Sequence, residues 1–317
     1  MRSVAALRAG PRGYAVRMPQ TTATPFGAVD LASTPGYLIR RSQQVHNTLW
    51  GEVITAKVTP PQFAVIAALA AEPGIDQRRL GEIAALDKSS VADVVDRLTS
   101  QRWIDRARDQ HDRRRNVLHL APAAEIALRH LTPVAAEVQQ RLLGGLDEDE
   151  IEGFLGSLAA VARVEELPDV EALRSAGQLI RRAQQVHTTL WGEQFGGELT
   201  GPQCAVLFVV SGAPEIRQTH LGELAALDRS TAADLVSRLV RRGWVHGERS
   251  PADARVKTLL LTDAGREVVD RCGPAVLPLQ DELLSPLDAG EQVRFMDRLR
   301  RVAFAGSDDH SRRADRN

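Results

Sequence analysis

The chain has 317 residues and a formal charge of −1. That is room for two domains with cores of their own, and it excludes a general electrostatic pull toward nucleic acid, leaving any such contact to local clusters. Two cysteines exclude a disulfide framework and suit a reducing cytoplasm; no apolar run approaches the roughly 20 residues that span a bilayer, and no secretory signal is visible.

Residues 1–34 lack periodicity and contain Pro11, Pro19 and Pro25, with Arg2, Arg8, Arg12 and Arg17 ahead of the first acid, Asp30. They read as a disordered leader holding a second candidate start at Met18; the competing reading is an arm that reaches DNA. Helix 1 comes next at 36–52, GYLIRRSQQVHNTLWGE, and returns at 177–193 as GQLIRRAQQVHTTLWGE, identical at 14 of 17 positions. Leu38, Val45 and Leu49 share one face. Arg40, His46 and Trp50 mark another, with His46 and Trp50 one turn apart and able to touch. Helix 2 spans 60–71, with proline in its first turn where the missing N–H costs nothing; its mate runs from 201 or 202 to 211. Phe63 becomes Cys204 in the second copy, a residue that reads as a small buried hydrophobe rather than a redox switch.

The stretch 80–98, LGEIAALDKSSVADVVDRL, recurs 141 positions later as LGELAALDRSTAADLVSRL, identical at 13 of 19 positions. Each copy reads as two short helices joined by a turn. Leu80, Ile83 and Ala84 form one apolar face, and Val91, Val94, Val95 and Leu98 form the next. Asp87 and Ser89 are N-cap types at the second helix start. The small polar residues there fit a DNA major groove about 12 Å wide. A plain helical hairpin fits the same pattern. The segments just C-terminal to each copy decide between them: 103–120 and 244–261 read as β-hairpins with a polar, basic tip. Helix, turn, helix and basic hairpin is the winged helix-turn-helix order. Arg106, Arg108, Arg113, Arg114 and Arg115 suit phosphate contact in the first hairpin.

Helices 5 and 6 are predicted at 123–143 and 147–164, and again at 263–284 and 288–304, with Pro133 and Pro274 interrupting helix 5 at matching places. Asp147 and Asp288 read as N-caps. The segment 165–176 between the copies is a short acidic linker.

In order along the chain, these motifs resemble the MarR family of bacterial transcription regulators. TPPQFAVIAAL at 59–69 and TGPQCAVLFVV at 200–210 are similar to that family's second helix. Asp112-Arg113-Arg114 and Asp253-Ala254-Arg255 match its wing motif. Leu261-Thr262-Asp263-Ala264-Gly265 matches the family's Leu-Thr-x-x-Gly after the wing, where the first copy departs with Leu120-Ala121-Pro122. The resemblance implies a mainly α fold with small β-wings: two winged helix-turn-helix repeats joined through a helical dimerisation-like layer. It divides the chain into a leader at 1–34, a first repeat at 35–165, a second at 166–305 and a disordered tail at 306–317. Family members are usually dimers of chains half this long, so two copies imply a fused pseudo-dimer that binds double-stranded DNA as a monomeric chain.

The DNA-contacting residues then expected are Lys88, Ser89, Ser90, Arg97 and the first wing's arginines, and, in the second copy, Arg229, Ser230, Thr231, Arg238, Arg255 and Lys257. Arg106, Arg113 and Arg115 become Gly247, Ala254 and Val256, which predicts half-sites of unequal strength. Asp93 and Asp234 stand on the reading helices where a carboxylate repels phosphate; local pairs with Arg97 and Arg238 are the expected resolution. Asp112 and Asp253 are expected to brace Arg114 and Arg255.

Helix 1 lines the effector pocket in this family, and its Arg-His-Trp pattern resembles members that respond to phenolic or benzoic acids. A guanidinium pairs a carboxylate through two parallel hydrogen bonds, an imidazole donates to an oxygen, and an indole gives a flat apolar wall. Arg40, His46 and Trp50, with Arg181, His187 and Trp191, are therefore the candidate ligand residues for a small aromatic carboxylate or phenol. The competing reading is packing: histidine and tryptophan buried in an interface, and Arg40 paired with an acid of the other half. No Gly-rich phosphate loop, paired metal motif or nucleophile elbow is present, so the expectation is a protein without enzymatic activity, cofactor or metal. A ligand- or protein-binding helical module that has lost DNA binding is the alternative, and Asp93 and Asp234 are its support.

Overall fold

A computed structural model describes residues 33–54, 58–108, 116–213, 216–249 and 257–305. Nearly all of the leader and all of the tail proposed above lie outside these residues. In chain order the first copy supplies α1 (Pro35–Val53), α2 (Pro60–Ala71), α3 (Gln77–Ala84), α4 (Lys88–Ser100), β1 (Ile104–Arg108), β2 (Asn116–Leu120), α5 (Pro122–Leu143) and α6 (Glu148–Val161). A short α7 (Glu171–Arg174) precedes the second copy: α8 (Ala176–Phe195), α9 (Gly201–Gly212), β3 (Ile216–Arg217), α10 (Gln218–Leu224), α11 (Arg229–Arg241), β4 (Val245–Arg249), β5 (Lys257–Leu261), α12 (Asp263–Leu284) and α13 (Ala289–Ala303). No helix among the described residues is long and apolar enough to cross a membrane.

Local chemistry sets the helix starts. Thr59 and Thr200 close capping boxes with Gln62 and Gln203, each satisfying two backbone N–H groups that the first turn leaves without partners. Asp87 and Asp228 cap α4 and α11. The turn ahead of each passes through a left-handed alanine, Ala85 at φ 51° and Ala226 at φ 49°, a conformation that costs a residue with a Cβ about 1–2 kcal/mol. Gly81 and Gly222 make that turn tight: an added Cβ would lie 3.1 Å from the Leu86 carbonyl oxygen and 2.9 Å from that of Leu227. Pro133, Pro274 and Pro278 sit inside helices that continue through them.

The wings form as antiparallel pairs, β1 with β2 and β4 with β5, in equivalent registers. The hairpin reading missed a third strand. β3 pairs with β5 through Ile216 and Leu259, and the first copy repeats the contact as a single bridge, Ile75 to Leu118. Two residues are too few for an alternation pattern to show.

Contacts between the copies are reciprocal. α1 packs on α8, α1 on α13 and α8 on α6, so the same faces meet in both directions. Phe154 and Phe295 are copies of one another, fully buried and stacked with ring centroids 5.8 Å apart. Gly36 lies against His187, and Gly177 against His46. Residue i meeting j while j meets i is the signature of an isologous interface. Burying both Phe154 and Phe295 contributes about 1.5–3 kcal/mol each. One apolar cluster runs from α1 and α6 through α8, α13 and the second copy's reading head, while the first head keeps a core of its own. The linker is not a bare tether: α7 plugs Leu173, fully buried, into that first core.

Candidate ligand pocket and DNA-reading face

The interface layer encloses a cavity of about 70 Å³ within a wider cleft of about 650 Å³. Its walls come from both copies. His46 and Trp50 project from α1, Phe63 from α2 and Gln139 from α5; Arg181 and Gln178 come from α8, and Ser175 from the linker's end. His46 and Trp50 touch as their spacing predicts, centroids 5.8 Å apart, and Trp50 also meets Phe63 at 5.3 Å. The Trp50 indole N–H donates to the Val58 carbonyl at 2.7 Å.

The cluster differs in one respect from the helix-1 pattern read along the sequence. Arg40 does not join His46 and Trp50; Arg181 does. Arg40 instead reaches the second copy's reading head, where Nε and Nη2 donate to the Ala225 carbonyl at 3.2 and 3.0 Å and Nε to that of Ala226 at 3.2 Å. It therefore finds backbone carbonyls rather than an acid of the other half. Helix 1 leaves each copy across the interface, so its arginine serves the opposite copy's neighbourhood.

This exchange sets the electrostatics. Burial pushes the Arg181 guanidinium down to about 10, and its Nη1 is buried with no hydrogen-bond partner. Burial, then the charge of Arg181, depresses His46 to about 4; burial and the charge of Arg40 depress His187 to about 3. Both imidazoles are neutral at neutral pH. A buried donor without an acceptor costs free energy that an anion would recover. The site thus offers one buried guanidinium nitrogen, Arg181 Nη1, without an acceptor, a neutral imidazole and an aromatic wall.

The pocket is wired to the first reading head. Gln178, part of its wall, donates Nε2 to the Ile83 carbonyl at 3.2 Å, and Arg182 Nη2 donates to the same oxygen at 3.1 Å. Ile83 lies in the last turn of α3, just before the left-handed turn that sets α4. Gln178, Gln139 and the linker residues were not found by sequence reasoning. A glutamine on an interface helix carries no signal of its own, and only the neighbouring copy gives it a role.

On the reading face, Lys88, Ser89 and Arg97 on α4 and Arg229, Ser230, Thr231 and Arg238 on α11 are exposed, with Ser90 half-buried. The hydroxyls are engaged. Ser89 and Ser90 both donate to Asp87 at 2.6 Å, and Ser230 and Thr231 to Asp228 at 2.5 Å. These bonds hold the Asp87 carboxyl well below the usual range and bring Asp228 to about 2. The expected local ion pair forms in the second copy, Asp234 with Arg238 at 2.7 Å. In the first it does not: Asp93 makes no ion pair among the described residues, and it is Asp96 that pairs, with Arg106 of β1. The hairpin brings Arg106 back over α4, a neighbour that helical spacing alone cannot supply. Arg108 ends β1 on the surface. Arg113, Arg114, Arg115 and Arg255, with Asp112 and Asp253, lie outside the described residues, as does the side chain of Lys257.

Cys204 and Cys272 are buried free thiols, and burial pushes both upward, Cys204 strongly. That is the inert state expected of a small core residue.

A reading helix preceded by a tight turn and followed by a β-wing, twice over on one interface layer, defines a winged helix-turn-helix protein. Its sequence matches the MarR family model twice, at residues 56–115 and 198–256. It is 33% identical to the transcriptional regulator HosA of Escherichia coli O111:H- over 135 residues, which is 42% of this chain and 99% of HosA. The chain belongs to the MarR family and is a transcriptional regulator of that type. It is also 28% identical over 133 residues to the HTH-type transcriptional repressor NicR of Pseudomonas putida, 42% of this chain and 84% of NicR. Among solved structures it is similar to the PcaV transcriptional regulator from Streptomyces coelicolor in complex with its natural ligand, 42% identical, covering 44% of this chain and 99% of that one, with a TM-score of 0.41.

Proposed function

We propose that this chain binds a pseudo-palindromic operator by itself, as a single-chain pseudo-dimer, represses transcription in the cytoplasm, and is released by a small aromatic carboxylate or phenol. The observation that carries the effector reading is the composite pocket: the buried, partnerless Arg181 Nη1 beside a neutral His46 and the Trp50–Phe63 wall. The guanidinium would pair the carboxylate and the rings would cover its flat face. The small cavity favours one substituted ring. The doubled reading head and the reciprocal interface support operator binding by one chain, and the relative named as a repressor supports the sign of the response.

The mechanism is a shift between two arrangements. Two heads held roughly 34–36 Å apart meet successive major grooves. Gln178 both walls the pocket and holds the Ile83 carbonyl, so a ligand drawing α8 toward itself favours a different placement of α3 and α4. It can shift the balance only by its differential affinity for the two arrangements. DNA contact falls to Lys88, Arg97, Arg229, Arg238 and the wing arginines. The hydroxyls of Ser89, Ser90, Ser230 and Thr231 must turn from their aspartates to donate to DNA, though they can accept as they stand.

A gel shift with the DNA upstream of the chain's own coding sequence, at two salt concentrations and with and without 4-hydroxybenzoate, tests this. The expected result is a one-chain complex, weakened by salt and released by the acid. Removing the first wing's arginines should flatten the salt dependence more than Arg255→Ala does; equal effects would refute unequal half-sites. Asp93, exposed on the reading helix and without an ion pair among the described residues, favours a second reading, a helical binding module that has lost its DNA. Absence of any shift at low salt would establish that reading instead.

A further inference from the structure

The two pockets that the doubled sequence creates are not equivalent. Counterpart positions lie 141 residues apart, and several walls change between them. Gln178, on the wall of the cavity between α1 and α8, corresponds to Tyr37; Ala135, also on that wall, corresponds to Val276. Both replacements are larger, and both are buried, Tyr37 at 7% and Val276 at 3% exposure. Pro60 and Phe63 correspond to the smaller Gly201 and Cys204, which would reopen space, but the Trp191 indole takes it: Nε1 lies 3.3 Å from where a Gly201 Cβ would stand.

The polar groups differ as the walls do. In the first pocket the Trp50 N–H goes to the Val58 carbonyl. In the second the Trp191 N–H goes to His187 Nε2 at 2.8 Å, and Gln280 Nε2 lies 3.2 Å from the same nitrogen. A nitrogen that accepts from the indole cannot also donate to an anion. Arg181 keeps a buried Nη1 without a partner, whereas Arg40 spends its fork on the carbonyls of Ala225 and Ala226 and rests over the Tyr37 ring at 6.0 Å.

We infer that the chain has one effector site, not two: a carboxylate-bearing single ring binds between His46 and Trp50 of the first copy and Arg181 of the second, while the counterpart pocket is a closed strut between helix 1 and the second reading head. This rests on the effector reading proposed for the chain and sharpens it. The release signal enters on one side. It reaches the first head through Gln178 and Ile83, and the second head stays braced by Arg40.

Isothermal titration of the full chain with 4-hydroxybenzoate should give one site per chain. Arg181→Ala should weaken it at least tenfold, and Arg181→Lys, which keeps the charge without the fork, should do so in part. Carrying the second pocket's walls into the first, as Gln178→Tyr with Ala135→Val, should abolish it. The converse pair, Tyr37→Gln with Val276→Ala, should raise the stoichiometry toward two. Crystals soaked in 4-iodobenzoate should show one iodine peak, in the pocket that His46, Trp50 and Arg181 line and at the ring end away from the guanidinium. Two sites in the native chain, or a single peak beside Arg40 and His187, would overturn the one-site inference and leave the effector reading standing. No binding by any variant would overturn both.

Discussion

Gly177→Ala tests the reciprocal interface more sharply than any loss of a side chain. A Cβ at Gly177 would sit 2.3 Å from His46 Nε2, 2.5 Å from Cδ2 and 2.7 Å from Cε1. Carbon atoms in good contact keep about 3.5–4.0 Å, so the overlap involves the whole ring edge. The ring has little room to yield, being 7% exposed and set against Trp50. Overpacking of this kind costs about 1–3 kcal/mol. Replacing a helical glycine by alanine returns up to about 1 kcal/mol of helix propensity, and less here, at the second residue of α8. The net expectation is a loss of about 1–2 kcal/mol, a fall in Tm of roughly 2–4 °C for a chain of this length. Gly192→Ala, in the same helix with nothing within 4 Å of its Cβ, should stabilise by up to about 1 kcal/mol and so move Tm the other way. Thermal unfolding followed by circular dichroism reads both. His46→Ala in the Gly177→Ala background should recover much of the loss, a coupling of about 1 kcal/mol or more. If Gly177→Ala stabilises as Gly192→Ala does, His46 does not press on Gly177 and the reciprocal contact is wrong.

The same contacts predict a pH dependence. His46 and His187 have folded values of about 4 and 3, below the ordinary 6.5. Above pH 6.5 both states hold them neutral; below it the unfolded chain takes up protons that the folded chain refuses, so stability falls with pH until the folded values are reached. At pH 5 each histidine costs about 2 kcal/mol. Denaturant titrations at pH 7 and 5 should show a smaller difference in the His46→Gln, His187→Gln double variant than in the parent. Asp87→Ala should cost about 1 kcal/mol through loss of the α4 cap. Asp87→Asn keeps a capping oxygen while removing a negative charge beside the proposed phosphate contacts, so it should tighten binding to non-operator DNA in a fluorescence anisotropy titration.

The doubled plan, the helix order and the wings were legible along the chain because each rests on neighbours in sequence. Apolar spacing marks a face, Thr59 and Asp87 mark helix starts, and a repeat at 141 residues is visible without any fold. The His46–Trp50 contact was legible for the same reason, one turn of helix. Asp93 shows the limit of that reasoning. Its spacing from Arg97 permits a pair, yet the pair that forms is Asp96 with Arg106, because the hairpin returns β1 over α4.

From its amino-acid order alone, this protein could be read as two winged heads with an arginine, a histidine and a tryptophan on each first helix. Tertiary structure decided which arginine meets which histidine, that the linker's Leu173 and Ser175 build core and pocket, and that the two tryptophan N–H groups go to different acceptors, Trp50 to a backbone carbonyl and Trp191 to His187. The physical reason is distance along the chain. Burial, desolvation and the fate of a guanidinium's hydrogen bonds are set by atoms far away in sequence, and no local pattern carries them.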